Sequence, residues 1–236
     1  MQLPETCAVI FDIDGVLVHL SGAEEDVFFA ALEDVHGITG ASRDWNSYKV
    51  RNDVEIIEEL IEGKYQRPAE PGEVRQVMER YHTLMDIAIR AETVRVSPIE
   101  GIEGVLTALG WHEGVTLGVA TANLKSIADM RLRAAELKDW FRLGGYAESR
   151  GPKAEILGQV MERLAAGDDQ LSADRIVFLG DNPNDVAAGQ QNGCHFIGFA
   201  VEPHRQQVLR DAGAEVVIGS HEHTLDAICA ALGAGS

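Results

Sequence analysis

Cysteine is scarce in this chain. Cys7, Cys194 and Cys229 are odd in number, far apart and in apolar surroundings, and no C-x-x-C occurs. A disulfide framework and a cysteine-based zinc site are therefore disfavoured, and the three read as buried reduced thiols of a cytoplasmic protein. Positive charge is also short: 20 Lys and Arg face 38 Asp and Glu, for a net charge of −18. That argues against nucleic acid, whose affinity comes largely from cations neutralising phosphates, and against anionic membranes. No uninterrupted apolar run reaches spanning length. The start, "MQLPETCAVIFDID", offers neither a basic n-region nor a long apolar h-region, so no signal peptide is expected. The sequence shows no internal repeat and no low-complexity tract. If the substrate is an anion, its pocket must be made locally positive by a metal or by a few basic side chains.

What is present describes a globular chain. Its 236 residues, 45% hydrophobic and 25% charged, suffice for one large or two small domains with a real core. Short apolar, β-branched runs occur at 8–11, 116–123, 175–182, 194–201 and 214–219. Helical periodicity separates most of them, with Ile102, Val105, Leu106 and Leu109 on one face and Ile156, Leu157, Val160, Met161 and Leu164 on another. A short helix at 184–192 is stopped by Gly193. This alternation predicts an α/β fold, a Rossmann-like parallel sheet with helices on both faces. Residues 18–98 break the rhythm. Helical patterns at about 23–36, 52–62 and 73–91, with no strand-like run, predict an all-helical insertion after the first strand. The expected division is a core of 1–17 and 99–236 with an inserted helical segment of 18–98.

Three strand-like runs end in polar residues: Asp12 and Asp14, then Thr121 and Asn123, then Asp181, Asn182 and Asp185. In an open α/β sheet, ligands bind at the carboxyl ends of the strands, so these ends are expected to converge. Gathered carboxylates need a cation, and hard oxygen donors suit Mg²⁺, which takes one or two carboxylates plus a substrate phosphate. Thr121 could offer a hydroxyl, and the following helix start its N–H groups, to phosphate oxygens. Lys153, near another helix start in "RGPKAEIL", could hold a phosphate or a nucleophile. One carboxylate could attack phosphorus and a second could move protons.

The segments "FDIDGVL", "ATAN", the lone Lys153 and "GDNPNDV" resemble, in order, the four motifs of the haloacid dehalogenase-like hydrolase superfamily. The resemblance spans roughly residues 7 to 200, and the subgroup looks most like phosphoglycolate phosphatases and their relatives. It implies Asp12 as nucleophile and Asp14 as acid/base. It implies Mg²⁺ held by Asp12, the Asp14 backbone carbonyl and Asp181, with Asp185 binding metal waters. Thr121 and Lys153 would hold the transferring phosphoryl group, Asn123 is a further candidate substrate contact, and the insertion would be a cap closing over the site. The implied reaction is hydrolysis of a small phosphorylated metabolite through an aspartyl-phosphate, in a monomer or homodimer.

An EF-hand loop is excluded, since its glycine would fall on Leu17, or its third position on Pro183. A P-loop at Gly63-Lys64 fails because its first glycine would be Glu58. His221, Glu222 and His223 read as a solvated loop or helix start rather than a metal site, and "GAEED" as a solvated helix start. A dehalogenase pattern lacks the second aspartate, and nothing marks Lys49 or Lys64 as a Schiff-base lysine. The rivals left open are a phosphomutase of the β-phosphoglucomutase type and a non-catalytic phosphometabolite-binding module. For specificity, "DWNSYKVRNDVEIIEEL" carries Trp45, Tyr48, Lys49 and Arg51 just before a helix. Arg51 could grip a carboxylate in two places, which makes a phosphoglycolate-like acid the best single guess.

Overall fold

A computed structural model of the chain describes residues 3–167 and 171–233. The central sheet is built from β1 (Cys7–Phe11), β4 (Val115–Ala120), β5 (Leu143–Gly145), β6 (Ile176–Gly180), β7 (His195–Phe199) and β8 (Val216–Ile218). Its spatial order is β5-β4-β1-β6-β7-β8, and every pairing is parallel. β1 is thus central, flanked by β4 and β6. Alternate residues of β1 serve opposite layers, as pleating requires. Cys7, Val9 and Phe11 share a core with Ile102, Leu106 and Leu109 of α4 (Ile102–Gly110), Leu132 of α5 (Lys125–Ala134) and Ile228 of α9 (Thr224–Gly233). Ala8 and Ile10 pack with Leu157 and Val160 of α6 (Lys153–Ala165) and Ala188 of α7 (Pro183–Asn192). α8 (Pro203–Asp211) covers the β7–β8 edge through buried Leu209. This is the doubly covered parallel sheet that the apolar runs predict.

Between β1 and α4 lie α1 (Glu24–His36), α2 (Asp53–Tyr65) and α3 (Pro71–Arg90). They bury Phe28, Leu32, Ile57, Ile61, Val77 and Met85 together, and this core continues into Leu124 and Ile127 of the sheet domain. α2 starts at Asn52, whose side chain accepts from the Val54 N–H, and α3 starts with Pro71 behind a Glu70–Glu73 capping box. The segment is not purely helical. Its two ends, β2 (Val18–Gly22) and β3 (Val94–Pro98), pair antiparallel, Val18 opposite Pro98 and Gly22 opposite Val94. Both strands are short and mix apolar with polar residues, so no apolar run announced them. β5 escaped notice for a related reason: it is three residues long and two of them are glycine. Among the described residues, no helix is long and apolar enough to cross a membrane.

Candidate active site

Strand register explains why the polar strand ends meet. Phe11 of β1 pairs with Val119 on one side and with Leu179 on the other, so Asp12, Thr121 and Asp181 follow at nearly the same height. The Asp12 N–H donates to the Leu179 carbonyl at 2.8 Å, and the Thr121 N–H to that of Gly145 at 3.0 Å, fixing both loops to the sheet rim.

Asp12 is buried. Its Oδ1 accepts from the Ile13 N–H at 2.8 Å, and its Oδ2 lies 2.7 Å from Lys153 Nζ. The same ammonium lies 2.9 Å from Asp185 Oδ1. Asp185, fully buried in the first turn of α7, turns its Oδ2 to the N–H groups of Asp181 and Asn182 and to Asn182 Nδ2 at 2.7 Å. Burial raises the Asp12 carboxyl above its ordinary range; Lys153 opposes this, while Asp185 and Asp181 add to it. Burial also works against the Lys153 charge, but the Asp12 and Asp185 carboxylates outweigh it and hold the ammonium protonated. Asp181 is raised as well, chiefly by burial and then by Asp185, with Arg205 opposing.

Oxygens of Asp12, Asp181 and Asp185 all lie within 4.8 Å of one another. Gly15, at φ +78°, keeps the adjacent loop clear of them: a Cβ there would come within 2.3 Å of Asp181 Oδ2. The donor set fits a hard divalent cation, since closely spaced carboxylates are what such an ion relieves. Asp185 is committed to Lys153 and to three N–H groups, so it reaches a cation less directly than Asp12 or Asp181 does. Asp181 Oδ2 also meets Arg205 Nη2 at 2.5 Å.

Asp14 is half-buried beside this group. Its Oδ2 accepts from Asn123 Nδ2 at 2.6 Å and from the Arg131 guanidinium, whereas Oδ1 has no hydrogen bond. Thr121 Oγ1 accepts from the Asn123 N–H at 3.2 Å and from Asn123 Nδ2 at 3.0 Å. These residues floor a cavity of about 800 Å³ whose helical side includes Phe28, Trp45, Tyr48, Lys49, Arg51 and Tyr81. The sequence-derived candidates Asp12, Asp14, Thr121, Asn123, Lys153, Asp181 and Asp185 therefore come together, and Arg51 lines the same cavity. Arg51 is exposed and forms no ion pair among the described residues. Trp45 is occupied by packing: its Nε1 donates to Glu25 at 2.9 Å, and its ring stacks on Phe29.

Two expectations change. Glu24, in the supposedly solvated "GAEED" run, accepts from buried Arg131. His221 is buried rather than solvated. Its Nε2 donates to the Val16 carbonyl at 2.8 Å, its Nδ1 pairs with Thr224 Oγ1 at 2.9 Å, and its ring stacks on Phe199. Burial lowers its pKa, which favours the neutral ring these contacts require. Arg131, Asp53 and Arg205 were missed. A lone arginine or aspartate in a helical pattern reads as surface, and only tertiary contacts bury it.

A family model described as haloacid dehalogenase-like hydrolase matches residues 9–199. The protein named "Probable phosphatase IndB" from Dickeya dadantii (strain 3937) is 26% identical over 230 residues, covering 95% of this chain and 94% of that protein. The crystal structure of CbbY from Rhodobacter sphaeroides in complex with phosphate is similar with a TM-score of 0.68 and 18% identity, over 94% of this chain and 99% of that one. The crystal structure of "a predicted phosphoglycolate phosphatase" from Haemophilus somnus 129pt is similar with a TM-score of 0.64 and 17% identity, over 95% of this chain and 99% of that one.

Proposed function

The chain belongs to the haloacid dehalogenase-like hydrolase family, and from that premise we propose that it is a Mg²⁺-dependent phosphatase acting on a small phosphorylated metabolite through an aspartyl-phosphate on Asp12. One observation carries this reading. A buried carboxylate at the tip of the central strand is held against Lys153, with the oxygens of Asp181 within reach and a second carboxylate, Asp14, two residues on.

In the first half-reaction an Asp12 oxygen attacks phosphorus, the P–O bond to the leaving group breaks, and Asp14 as a carboxylic acid gives the departing alkoxide its proton. In the second, Asp14 as a carboxylate takes a proton from water as that water attacks phosphorus. The Asp12–phosphorus linkage breaks, inorganic phosphate leaves, and Asp12 is restored. In this reading Asp14 Oδ1, which has no hydrogen bond, would carry the proton in both transfers. Thr121 already accepts two hydrogen bonds from Asn123, so its hydroxyl proton points to a phosphoryl oxygen. Lys153 neutralises the phosphoryl charge as it develops. Asp12, Asp181 and the Asp14 carbonyl would hold Mg²⁺, with Asp185 acting behind them through water; the ion would neutralise the carboxylates and polarise the phosphoryl group.

In this reading residues 18–98 form the cap that closes the site and selects the substrate. Lys49 and Arg51 supply positive charge on the cavity wall, and neither side chain is used in an ion pair among the described residues. An anionic group at the far end of the substrate suits them, and a phosphoglycolate-like acid is the simplest example.

The test is phosphate release from a panel of phosphorylated acids, sugars and nucleosides, with Mg²⁺ and with excess EDTA. Release should require Mg²⁺ and vanish in Asp12→Asn while the fold persists. Full turnover by Asp12→Asn, or undiminished activity in EDTA, would refute the mechanism. Faster interconversion of a bisphosphate-primed sugar phosphate than phosphate release would make the protein a mutase.

A further inference from the structure

Arg131 is on α5, outside every motif used above, and its guanidinium is 1% exposed in a site where burying a charge is costly without partners. Its partners come from both parts of the molecule. Nη1 donates to Asp14 Oδ2 and Nη2 to Glu24 of α1. The Tyr81 hydroxyl of α3 lies 3.4 Å from Nη2, and the half-buried carboxyl of Asp53, at the start of α2, adds to the negative field around it. Each of the three helices of the 18–98 segment thus presents one group to this cation. On the core side the guanidinium and Asn123 together engage Oδ2 of Asp14 and leave Oδ1 alone unbonded.

We propose that Arg131 is a positioning residue: it aims Asp14 for proton transfer and ties that aim to docking of the cap through Glu24, Asp53 and Tyr81. The inference rests on the phosphatase reading. A planar guanidinium is suited to the task, because its two ends bridge two carboxylates at fixed geometry. When the cap lifts, Glu24, Asp53 and Tyr81 withdraw and the cation keeps only Asp14. Asp14 is then held in its working orientation only when the site is shut against bulk water, which limits wasteful hydrolysis in the open state.

The experiment uses p-nitrophenyl phosphate, whose leaving group needs no protonation, so that formation of the Asp12 phosphate is independent of Asp14 and only its hydrolysis requires the base. In Arg131→Met, steady-state turnover should fall about 10- to 100-fold, with the pre-steady-state nitrophenolate burst within about threefold of wild type. In an Asp14→Asn background the same substitution should cost less than about twofold, because the group it positions is gone. Arg131→Lys should recover part of the turnover. A burst slowed as much as turnover, or a full multiplicative loss on top of Asp14→Asn, would show that Arg131 only supports the fold. Should Arg131→Met fail to fold, Glu24→Gln decides: slowed turnover with an intact burst supports the coupling, and unchanged turnover overturns it. If the wild-type protein shows no Asp12-dependent turnover, the phosphatase reading falls and this inference with it.

Discussion

Thr121 accepts twice from Asn123, and Asp14 keeps one oxygen bonded and one unbonded; these small asymmetries decide what each residue can do. A hydroxyl with both lone pairs used is a donor, and a carboxylate with one idle oxygen is ready to exchange a proton. Asp14→Asn keeps the shape and loses the exchange. It should lower kcat by about 10²- to 10⁴-fold while leaving KM nearly unchanged, as steady-state kinetics on the preferred substrate would reveal. A loss below about threefold would remove Asp14 from proton transfer. Arg51 makes a different demand, because it lines the same cavity without an ion pair among the described residues. Arg51→Ala should lower kcat/KM for the preferred substrate by about 10- to 100-fold, the scale of a charged hydrogen bond. Hydrolysis of an aryl phosphate, which offers Arg51 nothing to hold, should be nearly unchanged. Equal losses on both substrates would assign Arg51 to cap stability instead.

The start of α2 is where the inserted segment meets the loops of the sheet. Asn52 caps the helix and also donates through Nδ2 to the Ala147 and Gly151 carbonyls at 3.1 and 3.3 Å. Asp53 donates its N–H to the Ala122 carbonyl and accepts the Leu124 N–H at Oδ2, at 3.1 and 3.0 Å. Two consecutive residues therefore dock the helix onto the loops that carry Thr121 and precede Lys153. Burial pushes the Asp53 carboxyl up to about 7, with the Leu124 N–H and Arg131 opposing it, whereas the unfolded group titrates near 3.8. Between those values the folded chain keeps a proton that the unfolded chain has lost, so Asp53 costs stability as pH rises through that window. Asn at this position stays neutral and can still accept the Leu124 N–H. Asp53→Asn should therefore gain on wild type from pH 5 to pH 8 in urea or thermal melts. A gap that narrows over that range would contradict the assignment.

At the scale of the whole molecule the conflict is between a net charge of −18 and an anionic substrate. The fold resolves it locally. Lys49, Arg51, Lys153 and Arg205 all line one cavity, and the strand ends gather the carboxylates that a cation would neutralise. Metal binding should then stabilise the folded chain. Mg²⁺ at about 100 times its Kd adds about 2.7 kcal/mol, which for a chain of this length raises Tm by about 5–10 °C. Asp181→Asn should abolish most of that rise. An equal rise in the variant would place the ion elsewhere, and no rise in the wild type would remove it from the folded state.

The central architecture was legible because its signals are local. β1 and β6 are runs of consecutive apolar residues and β4 is interrupted only by Thr116, and their last residues lead directly into Asp12, Asp181 and Thr121, so strand and polar rim could be read from neighbouring positions. The helices of the 18–98 segment were equally plain from their period. What only the tertiary structure decided is the company each polar residue keeps. Arg131 sits between Met130 and Leu132 with nothing nearby in sequence to mark it, and its partners Asp14 and Glu24 are 117 and 107 positions away. His221 finds the Val16 carbonyl 205 positions away. The β2–β3 ribbon pairs two strands whose own sequences are too mixed to declare themselves. Periodicity along a chain is set by the geometry of one element. The burial and pairing of charge are set by which elements meet, and that is decided only when the sheet, its helices and the inserted segment are packed together.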